Sequence, residues 1–165
     1  MIEKVSYVAL TICALVLAGL QVSRATAPTP VEVGDRAPKM EMEYVDGVSE
    51  TSVDSRPAGD ALVVFFSTTC QFCLESMPAL EEIGAERCDL DLVIAVIDLD
   101  GPAARTWWSE QGWDVTRGCG KTRVTSYARD GRYGVTSTPK FVRVRDDRVT
   151  HIELGLIKEI PAWLD

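Results

Sequence analysis

Two cysteines separated by two residues, Cys70-Gln71-Phe72-Cys73, are the part of this sequence best equipped for chemistry. They stand in the run FFSTTCQFCLESMP, after a continuous apolar stretch and at the head of a helical pattern. The first N–H groups of a helix have no intrahelical partner, and the positive end of its dipole lies there. A thiolate is stabilised in that place, so its pKa falls and it is partly ionised near neutral pH. The second cysteine lies one turn further in and is shielded by packing. One reactive thiol with a second close behind it suits thiol–disulfide exchange through a mixed disulfide. Cys70 is therefore assigned as the attacking nucleophile and Cys73 as the resolving thiol. Thr68 or Thr69 is expected to supply the oxygen that caps the helix. A structural zinc site competes for the same thiols, with Cys88 and Cys119 as further ligands. Closed zinc sites usually pair their ligands, and no second CxxC follows. A purely structural CxxC bridge is disfavoured because so small a loop is strained.

The elements that must position this pair can be read around it. Ala61–Phe66 and Leu92–Ile97 are continuous apolar runs, the pattern of strands buried on both faces of a sheet. Between them Cys73, Met77, Leu80 and Gly84 form one helical stripe, with Glu75, Glu81, Glu82 and Glu86 on the rest of the surface. Strand, helix, strand in this order predicts two parallel strands joined by a right-handed crossover. Pro102–Gln111 predicts a second helix, in which one of Trp107 and Trp108 packs on the sheet and the other stays partly exposed. Met40–Val45 and Val48–Val53 flank Asp46-Gly47 and predict a hairpin. Lys140–Val144 and Val149–Leu154 predict another around Asp146-Asp147. Lys121–Arg129 is expected to be a short third helix, and Ile157–Leu164 a last helical turn or two interrupted by Pro161.

Length and charge narrow the function. The chain has 165 residues, room for one domain, and is 46% hydrophobic, too apolar to be disordered throughout. Its net charge of −8 repels phosphate backbones, so nucleic acid is not expected as a partner. A single histidine excludes His-rich metal sites, and His151 reads as a surface or hydrogen-bonded residue. The run from Val5 to Ser23 is uncharged over 19 residues, about 28 Å as a helix, close to the hydrocarbon thickness of a bilayer. Residues 1–24 are read as a signal anchor crossing the membrane, with a cleaved signal peptide ending near Ala25-Thr26-Ala27 as the alternative. Residues 25–34, with Pro28 and Pro30, read as a stiff tether, and 35–165 as the folded domain.

The stretch Ala61–Pro78 resembles the thioredoxin superfamily: an apolar strand, a CxxC, then a proline five residues after the second cysteine. Tyr133-Gly134-Val135-Thr136-Ser137-Thr138-Pro139, followed by Phe141-Val142-Arg143-Val144, resembles its second hallmark. With the opening Val33-Gly34-Asp35-Arg36-Ala37-Pro38 and the apolar N-terminus, the likeness is to TlpA/ResA-like membrane-anchored thiol–disulfide oxidoreductases. The resemblance implies an α/β thioredoxin-like fold, a central mixed sheet flanked by helices, preceded by one transmembrane helix. It implies a cis Thr138-Pro139 bond against the CxxC, with Thr138, Pro139, Gln71 and Phe72 contacting an incoming peptide by strand addition. It further implies a monomer in the bacterial inner membrane with its soluble domain in the periplasm, or one secreted there after signal cleavage. No bound cofactor is expected; the partners are protein thiols and disulfides and an upstream redox donor.

Departures from that pattern matter. Thr69 stands where tryptophan is usual, Phe72 where proline is frequent, and Ser76 where TlpA/ResA-like members carry glutamate. Val64 stands where thioredoxin buries an aspartate, leaving Cys73 without the usual proton acceptor. Asp98, or Asp100 beside it, is the candidate replacement through water. Cys88 and Cys119 are a candidate structural disulfide, or else two free thiols; if paired they close a loop of about 32 residues and add about 3 kcal/mol. Cys13 reads as a small hydrophobe within the apolar segment. The main rival function is a copper metallochaperone using Cys70 and Cys73, since soft thiolates suit Cu(I). A peroxidase on the same fold is a second rival, although Ser67 replaces the threonine it would want three residues before the nucleophile.

Overall fold

The computed structural model describes residues 12–16, 29–46, 49–57, 59–113, 122–127 and 131–165. Its main sheet has five strands: β3 (Asp60–Phe66), β4 (Asp91–Val96), β5 (Thr122–Ser126), β6 (Lys140–Arg145) and β7 (Arg148–Leu154). They lie in the order β5-β4-β3-β6-β7. β3 pairs parallel with β4 and β4 with β5, whereas β6 is antiparallel to both β3 and β7. The sheet is thus mixed. A separate hairpin joins β1 (Met40–Asp46) to β2 (Ser49–Ser55).

The apolar runs are strands for the reason their composition gives. Alternate residues point to opposite faces, and both faces are covered. Leu62, Val64 and Phe66 join Leu92, Ile94, Val96 and Phe141 on one face. Ala61, Val63 and Phe65 join Val93, Ala95, Val142 and Val144 on the other. Helix α1 (Gln71–Glu86) and helix α2 (Gly101–Glu110) carry the chain between β3, β4 and β5. Both connections step across the sheet in the same direction, so right-handed crossovers bring both helices to one face. Ala79, Leu80 and Ile83 of α1 and Ala104 and Trp108 of α2 fill that layer. Trp108 is buried against Phe66 and Trp113, while Trp107 is only half-buried. The second face is covered instead by Val31, Ala37, Met40, Tyr127 and Tyr133, with the Tyr127 and Tyr133 rings against Phe65.

Several expectations change. Lys121–Arg129 is not a helix: 122–126 form β5, a third parallel strand whose partly exposed residues mark a sheet edge. The last segment has no regular structure from Ile157 to Pro161 and makes only a 3-10 turn at Ala162–Leu164, which Pro161 enters in extended conformation. The packed chain also begins before residue 35. The Val31 N–H donates to the Arg132 carbonyl at 2.9 Å, and the Val31 side chain is buried. The expected hairpins stand at β1/β2 and β6/β7, the latter turning through Asp146 (φ 51°) and Asp147 (φ 63°). Left-handed backbone at both positions matches the twist of a two-residue hairpin.

Most of the apolar N-terminal segment lies outside the described residues. Residues 12–16 are helical, and Cys13 among them is an exposed free thiol. Among the described residues no helix is long and apolar enough to cross a membrane. Cys88 is disulfide-bonded, whereas Cys70 and Cys73 are free thiols. Cys119, its expected partner, lies outside the described residues.

Candidate functional site

Cys70 sits where β3 gives way to α1. It is itself the N-cap residue of α1, in extended backbone conformation, and neither Thr68 nor Thr69 takes that place. The Cys70 N–H donates to the Ser67 carbonyl, closing a tight turn between strand and helix. The turn is clamped from the end of the neighbouring strand. The Asp98 carboxylate accepts from the Ser67 hydroxyl (2.9 Å), the Thr68 hydroxyl (2.9 Å) and the Thr68 N–H (2.9 Å). Burial works against the Asp98 charge, but these bonds prevail and hold its pKa below the ordinary value. An ionised carboxylate so engaged is a loop clamp. Asp100 likewise caps α2, accepting from the Ala103 N–H at 2.9 Å.

The second wall of the site comes from far along the chain. Thr138-Pro139 is a cis peptide at the head of β6, antiparallel to β3. The Cys70 thiol donates to the Thr138 carbonyl at 3.2 Å. The site therefore unites Cys70, Cys73 and Thr138 across 68 residues of sequence. Lys140, which sequence reasoning passed over, is buried and donates its ammonium to the Tyr133 (2.6 Å) and Gly134 (3.2 Å) carbonyls. It ties down the loop that leads into Pro139, and burial lowers its pKa. Its one available signal was a lysine at the head of a strand, directly after Pro139.

The two thiols have opposite electrostatics. Burial opposes ionisation of Cys70, but bonds from the Thr138 side chain, the Cys73 thiol and the Cys73 and Phe72 backbone favour the charged sulfur. Its pKa lies below the ordinary 9.0. As a neutral thiol Cys70 gives its proton to the Thr138 carbonyl and makes no capping bond; once ionised it can accept from the helix N–H groups. Cys73 is fully buried; burial, with the adjacent Cys70 sulfur adding to it, pushes its pKa up to about 12. Gln71 and Phe72 lie outside the pair. Gln71 donates to Glu75 at 2.8 Å, and Phe72 is 55% exposed, a large apolar ring presented beside the CxxC pair. His151 stacks on Trp163 and bonds Glu153, away from any ligand role.

No family model matches the sequence, and no curated protein matches it at the level of sequence. Solved structures do. A DsbE-type thiol:disulfide interchange protein of Chlorobium tepidum aligns with TM-score 0.59 at 17% identity, over 82% of this chain and 92% of that one. The chain has a thioredoxin-like fold. That fold is shared with a secreted disulfide oxidoreductase of Mycobacterium tuberculosis homologous to E. coli DsbE (TM-score 0.54, 20% identity, 74% of this chain and 87% of that one). It is also shared with a peroxiredoxin-like protein of Aquifex aeolicus (TM-score 0.57, 19% identity, 83% and 84%). In this thioredoxin-like chain the strand–CxxC–helix turn and the cis-proline loop face each other, and Cys70 bridges them.

Proposed function

We propose that this protein is a thiol–disulfide oxidoreductase acting on protein partners. The observation that carries the reading is Cys70: a thiol with lowered pKa at a helix N-terminus, bonded to the Thr138 carbonyl, with a buried second thiol behind it. The Cys70 thiolate attacks one sulfur of a substrate disulfide, forming a mixed disulfide and releasing the other sulfur as thiolate. Cys73 then gives up its proton and attacks Cys70 Sγ, releasing the second substrate thiol and leaving Cys70–Cys73 oxidised. Two electrons pass to the substrate, and an upstream dithiol donor restores the pair. Thr138, Pro139, Gln71 and Phe72 form the surface an extended substrate segment meets. The direction is reductive and the place extracytoplasmic, the domain held at the periplasmic face of the membrane by residues 1–24.

Gel-shift thiol trapping across glutathione buffers tests this reading. A Cys70–Cys73 potential near about −270 mV marks a reductant and one near about −120 mV an oxidant. Cys70→Ser abolishes disulfide reduction, and a variant that keeps it refutes the assigned roles. The peroxiredoxin-like neighbour makes peroxide consumption the necessary control. Copper titration of the reduced protein distinguishes the metallochaperone alternative, in which Cys70 and Cys73 hold Cu(I).

A further inference from the structure

The two halves of the site are joined by more than the Cys70–Thr138 bond. Ser76, one turn beyond Cys73, is fully buried on the inner face of α1. Its hydroxyl donates to the Phe72 carbonyl at 2.7 Å and accepts from the Ile157 N–H at 3.2 Å. Two residues before Ile157, the Gly155 N–H donates to the Pro139 carbonyl at 3.0 Å. Gly155–Ile157 therefore touches the CxxC turn through Ser76 and the cis-proline loop directly. The segment is held further along. Ile157 and Leu164 are buried in the helix-side core, and the Trp163 carbonyl accepts from the buried Arg143 guanidinium at 2.9 Å.

The need for such a tie follows from α1 itself. Pro78 lies inside the helix, removes the N–H that would bond the Leu74 carbonyl and crowds that carbonyl. The first turns, which carry both cysteines, are thereby weakly joined to the rest of the helix. Ser76 lies between the cysteines and that proline, and its hydroxyl links this part of the helix, through the Phe72 carbonyl, to the Ile157 N–H outside it.

We propose that Ser76 is a positioning residue for the exchange reaction. It and Gly155–Ile157 form a clasp that fixes the separation of the Phe72–Cys73 N–H groups from Thr138, and so the environment in which Cys70 ionises. This rests on the oxidoreductase reading but is tested apart from it.

The experiment follows alkylation of Cys70 by a small neutral reagent across neutral and alkaline pH in the reduced full-length chain. Ser76→Ala and Gly155→Ala are compared with the parent, near-ultraviolet circular dichroism confirming the fold. Gly155 has φ +103°, so alanine there strains the clasp from its other end without meeting any neighbouring atom. In both variants the titration midpoint rises, and alkylation at neutral pH slows about threefold to tenfold, the effect of losing one buried hydrogen bond. Ser76→Thr, which keeps the hydroxyl, recovers part of the loss. The double variant is little worse than either single one, because both open the same clasp. A folded Ser76→Ala protein whose Cys70 titrates as in the parent overturns the proposal, as does full additivity of the two changes. Should Ser76→Ala fail to fold, an unmoved midpoint in Gly155→Ala decides against it. Alkylation needs no disulfide substrate, so a parent protein that alkylates normally but exchanges no disulfide sinks the oxidoreductase reading and leaves the clasp standing.

Discussion

At the scale of the residue, the pair is defined by how differently two identical side chains are treated. Cys70 is half-exposed with a pKa below 9.0, and Cys73 is buried with one near 12. Alkylation of the reduced protein, read by mass spectrometry, should modify Cys70 at neutral pH and spare Cys73 until strongly alkaline conditions. The same asymmetry acts on stability. Because folding raises the Cys73 pKa, its contribution is fully present below about pH 9 and is lost as pH rises toward 12. Chemical denaturation of the reduced protein should therefore show stability falling across that window, and a Cys73→Ala variant should show less of the fall. Asp98 has the opposite sign: its carboxylate is depressed, so its clamp is intact at neutral pH and weakens only in acid. Asp98→Ala is expected to cost about 1 kcal/mol, modest because the carboxylate is largely solvated, in a urea titration at pH 7. It should also slow exchange by loosening the Ser67–Thr69 turn.

At the scale of the element, composition and spacing revealed what is local. The two buried runs, the helix between them and the two hairpins follow from periodicity and turn chemistry alone. β5 escaped because its residues, Thr-Arg-Val-Thr-Ser, are polar and only partly covered at a sheet edge, so no apolar alternation marks them. The β-branched Thr122, Val124 and Thr125 were the available signal. The placement of the two thiols, one at the helix N-terminus and one buried behind it, was legible, since four consecutive residues carry both. Thr138 was reachable only through family likeness, because its contact with Cys70 spans 68 positions. The roles of Ser76, Lys140 and Asp98 depend on which carbonyls and hydroxyls a folded neighbour presents, and spacing holds no record of that. Packing makes its own prediction here. Trp108 is 1% exposed and contacts Phe66, Trp107 and Trp113, so Trp108→Ala should destabilise by about 3–5 kcal/mol in equilibrium unfolding.

At the scale of the whole molecule, the bond at Cys88 divides the cysteines by task. Cys88 follows α1 at the end of the sheet remote from Cys70, so it is placed to staple rather than to exchange. A Cys88→Ser variant should unfold at lower denaturant, by about 3 kcal/mol for a bridge that closes a loop of a few tens of residues, while its Cys70 alkylation profile stays that of the parent. An unchanged midpoint of unfolding would show that the bond contributes nothing to the fold. The other asymmetry is between the faces of the main sheet. Helices α1 and α2 lie on one side, and the segment before β1 does a helix's work on the other. A protease that cut between Ala37 and Met40 would unroof part of the second face, and the severed peptide would carry away Val31 and Ala37, pieces of the interior itself.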